Sequence, residues 1–113
     1  MLTIYHNAEC SKSKGVCALL KENHLSANII EYLKQPPSEE ELIHLLQMLD
    51  MHPSQLIRKN EPLFLEQYAD KELQEEDYLQ AMLRHPILIE RPIIVKDGKA
   101  IIGRPPEKLL ELL

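Results

Sequence analysis

Tryptophan is absent and phenylalanine occurs once among the 113 residues, so the core must be aliphatic. Cysteine occurs twice, at positions 10 and 17. In a reducing compartment such a pair is expected as free or catalytic thiols rather than a structural bridge. No apolar run approaches the roughly 20 residues that a membrane helix needs. The start, Met1-Leu2-Thr3-Ile4-Tyr5-His6, lacks the basic head and apolar stretch of a signal peptide, and the cytoplasm is the expected location. The net charge of −5 argues against nucleic acid or anionic membrane as a partner. His24, His44, His52 and His85 have no ligand-like spacing, so no metal site is expected. No glycine-rich phosphate loop, internal repeat or low-complexity segment occurs.

What is present reads as α/β. Leu2 to His6 has the β-branched and aromatic content of a strand, and residues 11 to 23 read as a helix with Val16, Ala18, Leu19 and Leu20 on its apolar face. Asn28 to Leu33 reads as a second strand. Strand, helix and strand within this length form a βαβ unit, which implies parallel pairing and a right-handed crossover. Ser38 and Glu41 spell a capping box, followed by Leu42, Leu45, Leu46 and Leu49 at helical spacing. Pro53 starts a short helical piece, and Glu75 to Arg84 reads as a further helix stopped by Pro86. Residues 60 to 72 carry no clear period. Pro92 to Val95 and Ala100 to Ile102 flank Asp97-Gly98, a hairpin turn signal, and Glu107 to Leu113 reads as a last helix. The expected fold is a thioredoxin-like mixed sheet in one domain, 1–113: β-α-β, a helical insertion at about 38–85, a β-hairpin and an α-helix.

Cys10 falls between a predicted strand end and a predicted helix start. Free first-turn amides and the macrodipole stabilise a thiolate there. Lys12 and Lys14 add positive charge, and His6 ends the preceding strand. Cys17 lies seven helical residues on, so its Cα would be about 10 Å away, beyond the roughly 7 Å that a disulfide spans. Cys17 therefore reads as a packed core thiol, and Ser13 stands where a Cys-x-x-Cys motif would put its second sulfur. Arg58, Arg91 and Arg104 each stand beside a structure breaker or strand edge. Each alone reads as a solvated charge, but three convergent forked donors would hold the oxygens of an anion.

Ile4-Tyr5-His6-Asn7 with Cys10 and Ser13, Leu56-Ile57-Arg58-Lys59-Asn60, His85-Pro86-Ile87-Leu88-Ile89-Glu90-Arg91-Pro92-Ile93 and Gly103-Arg104-Pro105 together resemble the glutaredoxin-dependent arsenate reductase family, across nearly the whole chain. The resemblance implies that Cys10 is the nucleophile and that His6 helps keep its thiol ionised. Arg58, Arg91 and Arg104 would hold arsenate or a similar oxyanion, with Asn7, Ser13, Lys14 and Pro92, as a cis-proline, in support. It also implies attack of the thiolate on arsenic, reduction by glutathione as co-substrate, and clearance of the glutathione linkage by glutaredoxin. No bound cofactor is expected, and a monomer is the default.

Three features depart from the family's usual pattern. Ala8 stands for a proline, Lys14 stands for an arginine, and the chain closes at Leu113 right after the last helix. Lysine keeps the charge of arginine but lacks its planar fork. The departures keep open a glutathione-linked thiol oxidoreductase acting on another substrate. An Spx-like regulatory binding protein shares the layout, but Ser13 interrupts the Cys-x-x-Cys switch such regulators use.

Overall fold

The computed structural model describes residues 2–7 and 11–113, with side chains given for 2–7 and 14–113. The expectations placed on Ala8 and Cys10, and on the side chains of Ser11, Lys12 and Ser13, lie outside these. The chain divides into two compact units, Met1–Pro36 with Arg91–Leu113, and Pro37–Glu90.

The first unit is built on a four-stranded mixed sheet. Strand β1 (Leu2–His6) leads to helix α1 (Ser11–Glu22) and strand β2 (Ala27–Glu31). The unit resumes with β3 (Ile93–Lys96), β4 (Lys99–Ile102) and a terminal 3-10 helix, Pro106–Leu112. Strand order is β2-β1-β3-β4. β1 pairs parallel to β2 and antiparallel to β3, which pairs antiparallel to β4. A mixed sheet of β-α-β and hairpin is the thioredoxin-like layout expected from the sequence. The hairpin turns at Asp97 and Gly98, both at positive φ (51° and 80°), the geometry of a turn that matches strand twist.

Successive strand residues face opposite sides of a sheet. In β1, Leu2, Ile4 and His6 are buried and alternate with half-buried Thr3 and Tyr5. α1 and the terminal 3-10 helix cover that buried face. Leu2, Ile4, Val16, Leu20, Ile94 and Leu109 form its core, joined by Leu19, Leu25, Ala27, Ile101 and Leu112. Among the described residues no aromatic ring joins this cluster, but Tyr32 and Phe64 are buried elsewhere, so the core is not aliphatic throughout as the composition suggested. Each fully buried aliphatic side chain contributes roughly 1.5–3 kcal/mol relative to exposure. Gly15 and Gly103 permit the close approach. A Cβ on Gly15 would lie 2.8 Å from Pro106, and one on Gly103 would lie 2.9 Å from both Ile94 and Val16.

The second unit is helical: α2 (Glu39–Leu49), α3 (Pro53–Leu56), α4 (Pro62–Gln67), α5 (Glu75–Arg84) and a 3-10 turn, Pro86–Leu88. Ser38 caps α2. Its hydroxyl accepts from the Glu41 amide at 3.2 Å, and the Glu41 carboxylate accepts from the Ser38 amide at 3.4 Å. Leu42, Leu45, Leu46, Leu56, Phe64, Leu79, Met82 and Leu88 are buried in this unit.

Several sequence expectations need correction. β2 ends at Glu31, not Leu33, because its parallel register with β1 runs out at the His6–Glu31 pair. Ala18 on α1 is exposed, since Val16 and Leu20 already fill the sheet-facing stripe. The last helix is 3-10 rather than α, and it starts at Pro106. α4 occupies part of the stretch that had no readable period. Among the described residues, no helix is long and apolar enough to cross a membrane.

Candidate functional site

His6 closes β1 on the face that α1 covers, and it is buried at 8% exposure. The strand parity that buries Leu2 and Ile4 puts the imidazole on the same side. There its Nδ1 lies 3.9 Å from Cys17 Sγ on α1. Burial pushes the His6 pKa below its ordinary value. Glu31, its register partner on β2, pulls it back up, and Lys14 on α1 pushes it down. Burial raises the Cys17 thiol above its ordinary value. Both groups are therefore held toward their neutral forms. Asn7, directly after His6, is also buried, and Lys14 is exposed on α1.

Arg91 and Arg104 flank the hairpin, one before β3 and one after β4. Both precede cis prolines, Pro92 and Pro105. Gly103 donates its amide to the Pro92 carbonyl at 2.9 Å, and Arg104 Nε donates to the Arg91 carbonyl at 2.9 Å. The two loops are thereby stitched together. Pro92 is fully buried, and Arg91 is only 9% exposed. Its Nε and Nη1 are buried with no hydrogen-bond partner among the described residues. Burying a guanidinium without acceptors is costly, and such donors suit an oxyanion.

Arg58 belongs to the helical unit. Its backbone amide donates to the Leu88 carbonyl at 2.7 Å, and the Glu90 amide donates to the Leu56 carbonyl at 3.1 Å, around an antiparallel bridge between Ile57 and Ile89. Its guanidinium pairs with Glu61 at 2.7 Å and Glu90 at 3.6 Å. The structure thus brings Arg91 and Arg104 together in one unit and gives Arg58 two carboxylates in the other. Cys10 lies outside the described residues.

Sequence reasoning paired His6 with Cys10 and did not foresee Cys17 beside the ring. The signal was available in part: His6 has the parity of the buried face, and Cys17 neighbours buried Val16. The Arg58–Glu61 pair was legible as an i,i+3 spacing, whereas the Glu90 contact arises only from the tertiary bridge. Among the described residues, no group of three or more His, Cys, Asp or Glu could hold a metal ion.

The ArsC family matches residues 5–112 of the chain. The uncharacterized protein YfgD of Escherichia coli strain K12 is 46% identical over 97% of this chain and 94% of its own length. An arsenate reductase of Neisseria meningitidis serogroup A is 35% identical over 99% of this chain and 97% of its own. The structure of an arsenate reductase from Vibrio cholerae superimposes with a TM-score of 0.92 at 42% identity, covering 99% of this chain and 97% of that one. A match of this extent, on a thioredoxin-like sheet with the arginine pair at its hairpin, makes the chain a member of the ArsC family.

Proposed function

We propose that the protein is an arsenate reductase whose nucleophile is Cys10 and whose reductants are glutathione and glutaredoxin. The observation that carries this reading is the buried Arg91 guanidinium, with Nε and Nη1 lacking acceptors among the described residues and its neighbour Arg104 anchored to its carbonyl. Those donors fit the tetrahedral oxygens of arsenate. The family resemblance assigns Arg58 to the same oxyanion.

The Cys10 thiolate forms a sulfur–arsenic bond and an arsenate oxygen leaves as water. A glutathione thiolate supplies the second sulfur. Arsenic(V) takes two electrons from the two sulfurs, which become joined in a disulfide, and arsenite leaves. Glutaredoxin and further glutathione return Cys10 to the thiol. One protein sulfur suffices, consistent with serine rather than cysteine at position 13. The need for reduced thiols places the reaction in the cytoplasm, and the enzyme works as a monomer.

A second reading is favoured by one observation. The relative at 46% identity is uncharacterized, while the arsenate reductase from Neisseria meningitidis stands at 35%. On this reading the same thiol acts on another oxyanion or on glutathione adducts.

The test is NADPH consumption coupled through glutathione, glutaredoxin and glutathione reductase, with arsenate as substrate. Turnover in the wild type that disappears in Cys10→Ser supports the reductase. A folded wild type that forms a glutathione adduct at Cys10 yet turns over no arsenate supports the second reading.

A further inference from the structure

The buried cluster between the sheet and α1 includes Val16 and Leu20 but not Cys17. The Cys17 sulfur instead meets a ring nitrogen, His6 Nδ1, at 3.9 Å. We propose that the Cys17 thiol donates to His6 Nδ1 and so holds the imidazole as the tautomer protonated on Nε2. Cys17 is then a positioning residue for the histidine.

The direction of the bond follows from donor and acceptor strengths. A thiol sulfur is a weak acceptor, whereas the unprotonated nitrogen of a neutral imidazole is a good one. S–H to Nδ1 is therefore the better arrangement, and it leaves the ring's single proton on Nε2. Burial favours the neutral form of both partners. The charged groups facing the pair oppose each other: Glu31, on β2, favours the imidazolium, and Lys14, on α1 one turn before Cys17, disfavours it.

The consequence concerns how His6 serves a thiolate. A histidine with a bare Nε2 would take a proton from the nucleophile as a base. One protonated on Nε2 instead donates a hydrogen bond and stabilises the anionic sulfur or oxygen already formed. This functional part rests on the reading that His6 serves the Cys10 chemistry. The tautomer itself does not.

The experiment is nitrogen-15 spectroscopy of histidine-labelled protein, with the His6 signals assigned by their loss in His6→Gln. Long-range proton–nitrogen correlations report which ring nitrogen carries the proton. The expected wild-type pattern is a bare Nδ1 and a protonated Nε2 above neutral pH. Cys17→Val keeps a side chain of similar bulk and removes the donor. It should bind the second proton severalfold more tightly, moving the His6 titration to higher pH, because a hydrogen bond to the neutral ring has been lost. A wild-type ring protonated on Nδ1 overturns the proposal. So does a Cys17→Val protein whose His6 titrates like the wild type, since packing alone would then account for Cys17. Absence of arsenate turnover in the wild type would count against the proposed function and leave the tautomer result standing.

Discussion

Arg104 Nε donates to the backbone carbonyl of Arg91 at 2.9 Å. One arginine is thus oriented by the main chain of the other. Lysine cannot copy this, because one ammonium cannot anchor to the carbonyl and also present a planar fork. Arg104→Lys should lower kcat/KM for arsenate by about 10- to 100-fold, the loss expected for one or two hydrogen bonds to a charged group. Steady-state kinetics of the coupled assay check this, and an unchanged kcat/KM would remove Arg104 from the site.

Arg91 makes a prediction about stability in which ligand and fold are linked. Its buried Nε and Nη1, without a partner among the described residues, penalise the ligand-free protein, so Arg91→Met should be as stable as the wild type or more stable, by up to about 4 kcal/mol. Arsenate at about 100 times its dissociation constant should add roughly 2.7 kcal/mol to the wild type and nothing to the variant. Thermal melts with and without arsenate give both results.

The His6 pKa is lowered, chiefly by burial, and this fixes the sign of a pH effect. Above the ordinary value of about 6.5 both folded and unfolded chains hold a neutral ring, and the group costs nothing. As pH falls through that value the unfolded chain takes a proton first, so stability drops. The drop levels off once pH passes below the depressed native value. Urea unfolding across this window should therefore show a steeper loss in the wild type than in His6→Gln, since the other four histidines are common to both.

Gly15 sits inside α1, where alanine ordinarily gains about 1 kcal/mol. Here an added Cβ would lie 2.8 Å from Pro106, and overpacking of that kind costs about 1–3 kcal/mol. Gly15→Ala should therefore destabilise the protein. Combining it with Pro106→Ala should recover much of the loss, and a double-mutant cycle by urea denaturation measures the coupling.

The sheet unit was legible because its signals are local. β1 alternates and Asp97-Gly98 marks a turn, and in the helical unit Ser38 and Glu41 likewise spell their cap. α4 was not legible because Phe64 is its one buried residue, so it carries no apolar stripe to read. The overrun of β2 has a different origin. Tyr32 is buried and looks like strand continuation, but the five-residue length of β1 decides where pairing stops. At the site, the arginines were legible as residues and not as an arrangement. The Arg104–Arg91 tie depends on a side chain reaching across 13 positions, and nothing in local composition encodes it.

The parity of β1 has a bearing on how the protein tolerates change. His6 faces α1 only because it shares its side of the strand with Leu2 and Ile4. A deletion or insertion of one residue upstream in the strand would exchange His6 for a neighbour of opposite parity while leaving the sequence around it intact. Heredity at this position therefore acts on a count as well as on a letter: the histidine is preserved in its role only while the number of residues ahead of it stays even with the core.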